Sequence, residues 1–216
     1  MERLIHTYVA RVLSLIFPER CLGCGKSNIF LCKNCIGQTR KENSEKISVL
    51  YADKIYSWGI YENETLRTAL RRFKYHKTLS LAEIFSDMLI DSIGPGVISF
   101  QNTLIIPVPA SKMRKRQRGY NQAEILAEKF CQKTSLPYAP KILIKIKGTP
   151  SQTSLSREER LINVKDSFAI KNPELIKNKK IILVDDILTT GATISECAKV
   201  LKNAGAEEVI GLVVAI

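Results

Sequence analysis

The chain has 216 residues, with 33 Lys or Arg against 21 Asp or Glu, which gives a formal net charge of +12. Because 45% of the residues are hydrophobic and only six are cysteines, the composition excludes both a disordered chain and a disulfide-stapled scaffold. The longest stretch without a charged residue, 92–111, contains three prolines and two glycines, so it does not suit a membrane-spanning helix. We therefore expect that the protein is not an integral membrane protein. The length predicts one domain with at most a small appendage, and the positive charge favours a polyanionic or phosphorylated partner.

The first residues of the chain carry apolar side chains at helical spacing. The residues in this pattern are Leu4, Ile5, Tyr8, Val9, Val12, Leu13 and Ile16. They predict a short amphipathic helix packed on the body of the protein, with a helix on a membrane surface as the alternative. Glu2 and Arg11 flank a short apolar run and no small-residue cleavage site follows, so a signal peptide is not indicated and we expect a cytoplasmic protein.

Four of the six cysteines form two Cys-x-x-Cys pairs that lie close together in the sequence. They are Cys21, Cys24, Cys32 and Cys35. Each pair presents two thiolates from one tight knuckle, and Zn²⁺ is commonly held by four thiolates in a tetrahedron. A redox dithiol is the competing interpretation, but two pairs this close in a reducing compartment favour a structural zinc site with no open position. We therefore predict an N-terminal helix and a four-cysteine zinc finger in residues 1–45, with Cys131 and Cys197 as inert core residues.

From residue 46 onward, short apolar runs alternate with helical patterns. The predicted strands are 54–61, 103–108, 141–146, 181–184 and 209–216, and the predicted helices are 64–77, 79–91, 120–134 and 193–204. Continuously apolar strands such as 181–184 are typical of a parallel sheet that helices cover on both faces. We therefore expect residues 46–216 to form one α/β domain with a mainly parallel sheet. Residues 147–160 are polar and without apolar periodicity, which predicts a long loop of a kind that is commonly functional.

The most informative segment is 181–193, in which an apolar strand is followed by two acids and by a Thr/Gly turn that opens a helix. Ligands of open α/β sheets bind at the carboxyl ends of strands, and the N–H groups of a helix N-terminus favour a phosphate. Asp185 and Asp186 suit sugar hydroxyls or, less directly, a hydrated Mg²⁺. A Walker-B pair is a second interpretation, although the chain has no Gly-rich nucleotide loop. Two solvated acids at a strand tip are a third.

The segment 181–193 closely resembles the phosphoribosyl-pyrophosphate signature of type I phosphoribosyltransferases. Residues 107–111 are similar to the pyrophosphate-side loop of the amidophosphoribosyltransferase-like members. Two further matching segments follow, 114–123 and then Gln152, Leu155, Ser156, Arg157, Arg160 and Asn163. Together with the cysteine pairs, this order resembles the ComF family, whose phosphoribosyltransferase-fold proteins are associated with competence, the uptake of DNA by bacteria. The resemblance spans nearly the whole chain and implies a type I phosphoribosyltransferase fold for residues 46–216.

The resemblance also implies how the matching residues bind phosphoribosyl pyrophosphate (PRPP). Asp185 and Asp186 hold the ribose hydroxyls, Thr189, Thr190, Gly191, Ala192 and Thr193 bind the 5′-phosphate, and Ala110, Ser111 and Lys112 meet the pyrophosphate. Arg157 and Arg160 are candidates for cations that a mobile loop brings to the leaving group, and Mg²⁺ accompanies the ligand. Some purine-specific members have an Asp where this chain has Thr189, so the sequence indicates no general base for an acceptor.

Two basic clusters exceed what a small phosphate pocket needs. The predicted nucleic-acid contacts are Arg114, Lys115, Arg116 and Arg118 in one cluster and Arg71, Arg72 and Lys74 in the other. Cations interleaved with aromatic residues, here Phe73 and Tyr75, are typical of sequence-tolerant binding to single strands. A solvated face beside a pyrophosphate pocket is the alternative, and Phe73 suits a core position equally well.

Two functions follow from the resemblance. The first is a ComF-like competence protein with a PRPP pocket, which acts in DNA uptake during natural transformation and binds single-stranded DNA in the cytoplasm. Proteins of the DNA-uptake machinery are its expected partners. The second is an active Mg²⁺-dependent phosphoribosyltransferase of unknown acceptor that makes no direct contact with DNA. We prefer the first hypothesis and leave turnover open.

Overall fold

The computed structural model describes residues 19–40, 47–76, 78–94, 102–147 and 164–216. The predicted N-terminal helix and the predicted boundary between residues 45 and 46 therefore lie outside the described residues. Arg157, Arg160 and nearly all of the predicted loop 147–160 lie outside them as well.

Strands and helices alternate along most of the described chain. The helices are α1 (Lys33–Thr39), α2 (Glu64–Tyr75), α3 (Leu81–Ile93), α4 (Lys112–Arg118), α5 (Gln122–Thr134) and α6 (Ala192–Asn203), and a 3₁₀ turn spans Pro173–Leu175. The strands are β1 (Lys54–Gly59), β2 (Thr103–Pro107), β3 (Leu143–Lys145), β4 (Phe168–Ile170), β5 (Lys180–Ile187) and β6 (Glu208–Ala215). Within these ranges of the chain, no helix has both the length and the apolar character needed to cross a bilayer.

The main sheet is parallel, and its strands are arranged in the order β1, β6, β5, β2. In its centre, Ile182 of β5 pairs with Ile210 of β6 and with Ile105 of β2. The carboxyl ends of β2, β5 and β6 therefore meet at one edge of the sheet. β3 and β4 form a separate antiparallel pair. The predicted α/β architecture with a mainly parallel sheet is confirmed.

Helices cover both faces of the main sheet. On one face, α2, α3 and α5 enclose a core in which Phe73 and Phe85 are fully buried. On the other face, α6 and the β3–β4 pair enclose a second core around Ile194. Successive strand residues point to opposite faces, so the continuous apolar run of β5 contributes to both cores. Cys131 and Cys197 are buried, one in each core, as the sequence predicts.

The four predicted helices agree with α2, α3, α5 and α6 to within two residues at each end, but α4 and β4 are not marked by any sequence period. α4 has no buried residue, so no apolar spacing reveals it. It begins after Ser111, whose Oγ accepts a hydrogen bond from the N–H of Arg114 at 3.3 Å, and it ends at Gly119 with a φ of 85°. β4 is three residues long and is defined by its pairing with β3.

The cysteine-bearing segment 19–40 packs against β1. The indole N–H of Trp58 donates to Oγ1 of Thr39 over 2.9 Å, and Leu31 is buried in the same core as α2. Gly59 permits this close contact, because a Cβ there would lie 2.3 Å from the carbonyl oxygen of Thr39. The segment is therefore a small appendage anchored on the α/β domain.

Candidate functional site

A cavity of about 780 Å³ opens at the carboxyl edge of the main sheet. Its wall includes residues of α2, α4, α5, β3, β5 and the start of α6, and residues of the loops that follow β2 and β5. The lining residues that the sequence indicates are Arg71, Lys74, Ala110, Ser111, Arg114, Arg118, Asp185, Asp186, Thr189 and Thr193. Segments that are far apart in the sequence thus meet around one volume, whose size is typical of a small-molecule site.

Asp185 and Asp186 belong to β5 itself, since the strand continues through both acids to Ile187 and does not end before them. Because strand side chains alternate, Asp186 points to the face covered by α2 and Asp185 to the face covered by α6. Asp185 accepts a hydrogen bond from the N–H of Asp186 over 2.8 Å. Burial, together with the charge of Asp186, raises the pKa of Asp185 from 3.8 to about 7. Asp185 therefore changes its charge in the neutral pH range.

Asp186 is almost fully buried and lies opposite one cation. Its exposed fraction is 5%, and Nζ of Lys74 lies 3.1 Å from its Oδ2. The ammonium of Lys74 offsets its charge, but Oδ2 accepts no hydrogen bond among the described residues. Buried acceptors in proteins are normally satisfied. A ligand hydroxyl in the cavity would supply the missing donor.

The turn after β5 enters α6 through Gly191. Its φ of 78° is left-handed, and a Cβ at this position would lie 3.1 Å from a methyl group of Val49, so glycine suits both the backbone and the available space. Of the predicted turn residues, Thr189 and Thr193 line the cavity, and Thr190, Gly191 and Ala192 form the backbone between them. Two threonines therefore line the cavity beside the N-terminus of α6, a position that favours an anion.

The basic residues predicted to contact nucleic acid lie in different environments. Arg71, Lys74, Arg114 and Arg118 line the cavity, Lys115 pairs with Glu124, and Arg72 and Arg116 are exposed. Phe73 is buried in the core, whereas Tyr75 is 60% exposed and lies 5.2 Å from the guanidinium of Arg118. Of the two aromatic residues in the second cluster, only Tyr75 is accessible, and much of the clustered charge belongs to the cavity wall.

Lys145 is a cavity residue that no sequence pattern indicates. Its ammonium lies 5.1 Å from the ring centroid of Phe168, and burial and the neighbouring Arg114 lower its pKa. β3 brings Lys145 to the cavity through its pairing with β4, which has no clear sequence signal. A lysine with a lowered pKa and an aspartate with a raised pKa in one cavity are typical of functional sites.

The four cysteines predicted to bind zinc converge in the segment 19–40. Cys21, Cys24, Cys32 and Cys35 place their Sγ atoms within 4.8 Å of one another. The Sγ atoms of Cys24 and Cys32 are 3.7 Å apart, close to the edge of about 3.8 Å in a tetrahedron with Zn–S bonds of about 2.3 Å. Glycine is required at Gly23, because a Cβ there would lie 2.6 Å from Sγ of Cys35. The donor set therefore fits a tetrahedral metal ion such as Zn²⁺.

The ionisation of the cysteines also favours a bound cation. Burial opposes the ionisation of Cys21, but backbone N–H groups, chiefly those of Cys24 and Cys32, outweigh it and lower the pKa to about 6. The neighbouring sulfur of Cys32 raises the pKa of Cys35 to about 12. Cys21 and Cys35 therefore do not both ionise near neutral pH unless a cation offsets their charge, which a divalent metal ion would do.

Nearly the whole chain aligns with known bacterial proteins. It is 31% identical over 195 residues to competence protein ComFC of Streptococcus pneumoniae, a match that covers 90% of this chain and 79% of that protein. The chain belongs to the ComF family. Competence protein F of Haemophilus influenzae is 29% identical over 197 residues, which is 89% of this ComF chain and 82% of that protein. DNA utilization protein YhgH of Escherichia coli is 30% identical over 105 residues, which is 49% of this chain and 45% of that protein.

Residues 116–216 of this ComF protein match the phosphoribosyl transferase domain family. This range begins in α4 and contains β5 with both acids, the turn and α6. The protein has a type I phosphoribosyltransferase fold, with a parallel sheet flanked by helices, and a cysteine cluster near its amino terminus that is able to hold a metal ion. The predicted family and the predicted fold are confirmed.

Proposed function

We propose that this ComF protein binds PRPP in the cavity at the carboxyl edge of the sheet, which we call the PRPP cavity. The supporting observation is that a buried acid, two threonines of the Thr/Gly turn and several cations surround one volume. The cations are Arg71, Lys74, Arg114, Arg118 and Lys145. PRPP carries a sugar diol between a phosphate and a pyrophosphate, so each part of this ligand has complementary chemistry in the wall.

Each part of PRPP is assigned to one part of the wall. Oδ2 of Asp186 accepts from a ribose hydroxyl, Thr189 and Thr193 contact the 5′-phosphate, and Ala110 and Ser111 approach the pyrophosphate. Lys112, predicted for the same loop, lines a neighbouring cavity instead. A Mg²⁺ ion that accompanies PRPP would offset part of the pyrophosphate charge.

Ligand-induced stabilisation tests this proposal. A ligand present at 100 times its Kd raises the free energy of unfolding by about 2.7 kcal/mol. We expect PRPP with Mg²⁺ to stabilise the wild type and Asp87→Asn, which alters an exposed acid on α3, by this amount. Asp186→Asn keeps the size of the side chain but loses its charge, and should be stabilised far less. If Asp186→Asn is stabilised as much as the wild type, the carboxylate of Asp186 does not contact PRPP, and the proposal loses the observation that supports it.

We further propose that the protein handles DNA during natural transformation and binds single-stranded DNA in the cytoplasm, with proteins of the uptake machinery as partners. Its relatives are named as competence and DNA utilization proteins, and a net charge of +12 favours a polyanionic partner. The logarithm of the affinity for a labelled oligothymidine should fall linearly with the logarithm of the salt concentration. Absent or salt-independent binding would refute the DNA-binding part.

An active phosphoribosyltransferase is a second candidate, and the pKa values in the cavity favour it. Asp185 is shifted upward and Lys145 downward, and such shifts are typical of acid–base chemistry. Arg157 and Arg160 remain the predicted cations for the leaving pyrophosphate. Release of pyrophosphate from PRPP with a panel of acceptors, compared between the wild type and Asp185→Asn, tests this candidate. If PRPP binds but no acceptor yields pyrophosphate, turnover is rejected for that panel and the binding function stands alone.

A further inference from the structure

A second cavity of about 450 Å³ adjoins the PRPP cavity at the short helix α4, and the two cavities share Ser111, Met113, Gln117 and Lys145 in their walls. The second cavity is lined by Ser111, Lys112, Met113, Arg116, Gln117, Lys145, Ile146 and Lys147. Arg114 and Arg118 are four residues apart, lie on the same side of the helix and line the PRPP cavity. Lys112 and Arg116 are also four residues apart and line the second cavity. The basic helix therefore presents its charge to two different volumes.

Among the described residues, the wall of the second cavity contains cations and no acid. Its wall includes Lys112, Arg116, Lys145 and Lys147, whereas the wall of the PRPP cavity contains both aspartates. In the part of the chain that the structure describes, no ion pair involves Lys112, Arg116 or Lys147. All three side chains are exposed. A surface with several unneutralised cations attracts a polyanion.

Apolar side chains lie in the same wall as these cations. Met113 is 46% exposed and Ile146 is 56% exposed, and both line the second cavity. A free phosphate would use the cations alone, and a duplex keeps its bases stacked inside. A single strand presents phosphates together with accessible bases, and single-strand sites combine a cationic groove with side chains, typically aromatic, on which the bases stack. Here Met113 and Ile146 offer an apolar contact in place of an aromatic ring. Single-stranded DNA therefore matches the composition of this wall.

We propose that the second cavity binds single-stranded DNA and that the PRPP cavity does not. This inference rests on the DNA-binding function proposed above and gives that function a location. The predicted nucleic-acid residues then separate into two groups: Arg116, together with Lys112 and Lys147, contacts DNA, whereas Arg114 and Arg118 contact PRPP. Because Lys112, Arg116 and Lys147 do not line the PRPP cavity, we expect that PRPP does not displace DNA.

Two matched double variants test this assignment. Arg116→Gln/Lys147→Gln removes two charges from the second cavity, and Arg114→Gln/Arg118→Gln removes two charges from the PRPP cavity. Their effect on net charge is the same, so a difference in DNA affinity reports the location of the charges. Binding of a labelled oligothymidine is measured by fluorescence anisotropy over a range of salt concentrations, and PRPP binding is measured by calorimetry. Melting temperatures establish that both variants are folded.

Each phosphate contact with a single strand contributes about 0.7 to the salt slope. We expect Arg116→Gln/Lys147→Gln to lower the slope by about 1.4 and the DNA affinity at 0.1 M salt by about 25-fold, with PRPP affinity unchanged. Arg114→Gln/Arg118→Gln should lose PRPP affinity and retain most of its DNA affinity. If the double variant in the second cavity fails to fold, Arg116→Gln alone should lower DNA affinity by about 5-fold.

Three results would overturn the inference. Equal loss of DNA affinity in both double variants would show that the second cavity is not the DNA site, although DNA binding itself would stand. Displacement of the oligothymidine by PRPP would show that the two ligands share one site. A duplex bound as tightly as the single strand would exclude a contact between the bases and Met113 or Ile146. If the wild type binds no DNA at all, the DNA-binding part of the proposed function fails as well.

Discussion

Trp58 is the only tryptophan of the chain and lies where the cysteine segment meets the α/β domain. It is 4% exposed, its indole N–H donates to Oγ1 of Thr39 over 2.9 Å, and the guanidinium of Arg40 lies 5.2 Å from the ring. Thr39 ends α1, the helix that carries Cys35. We therefore predict that loss of the metal ion releases α1 from β1 and exposes Trp58 to water.

The magnitude follows from the area that the indole buries. A tryptophan buries about 200 Å², and at about 25 cal/mol per Å² this corresponds to about 5 kcal/mol. The value is an upper limit, because the unfolded chain also buries part of its apolar surface. Cys24→Ser is the appropriate perturbation, since Cys24 is exposed and its replacement removes no core packing. The variant should lose the metal and up to about 5 kcal/mol of its free energy of unfolding.

Metal content, tryptophan emission and urea unfolding are measured on the same samples. Wild-type protein should contain about one Zn²⁺ per chain, which follows from its single four-thiolate cluster in the described residues. Lys33→Ala alters an exposed residue beside the cluster and serves as the control. It should keep the zinc content, the tryptophan emission wavelength and the urea midpoint of the wild type. Cys24→Ser should lose zinc, emit at longer wavelength and unfold at lower urea. If it contains no zinc yet keeps the wild-type emission and midpoint, the metal does not hold α1 on β1 and the reasoning is wrong.

Two further predictions concern the PRPP cavity. The raised pKa of Asp185 means that the folded protein holds a proton there between pH 3.8 and about 7, whereas the unfolded chain does not. The corresponding stability is fully present below pH 3.8 and is lost as the pH rises to 7, by at most about 4 kcal/mol. Asp185→Asn should remove this loss in urea titrations across that range, and an unchanged pH profile would refute the assignment. Gly191→Ala should lose about 1–2 kcal/mol of stability at its left-handed backbone and also lose PRPP affinity. Gly94 also has a left-handed φ, of 72°, but a Cβ added there would have no neighbour within 4 Å. Gly94→Ala should therefore lose stability and keep its PRPP affinity. Equal PRPP affinity in the two variants would contradict this account of the turn.

Sequence patterns predict the elements that are marked by residues close to one another in the chain. The apolar run of β5 and the Thr/Gly turn after it mark a strand, a ligand edge and a helix start within 13 residues of each other in 181–193. The two Cys-x-x-Cys pairs indicate by their spacing alone the cluster of four cysteines that is able to hold a metal ion. α4 lacks an apolar period because none of its side chains is buried, although Ser111 and Gly119 are ordinary signals for its two ends.

The features that sequence patterns do not predict depend on contacts between distant segments. Lys74 meets Asp186 because α2 covers the face of β5 to which Asp186 points, and no local spacing encodes that contact. Lys145 reaches the cavity through the pairing of two three-residue strands. The division of the basic residues between two cavities likewise becomes visible only in the folded structure. The sequence shows a run of five cations in 112–118 but not which cavity each of them lines.

The central claim is that the PRPP cavity is a phosphoribosyl site and not a cluster of cations that accepts any phosphate. Calorimetric titration of the zinc-loaded protein with PRPP in the presence of Mg²⁺, beside titrations with pyrophosphate and with ribose 5-phosphate, tests this claim most directly. We predict one PRPP bound per chain, more tightly than either fragment, because the wall contacts the diol and both phosphate groups together. Pyrophosphate bound as tightly as PRPP, or no binding of PRPP, would contradict the account.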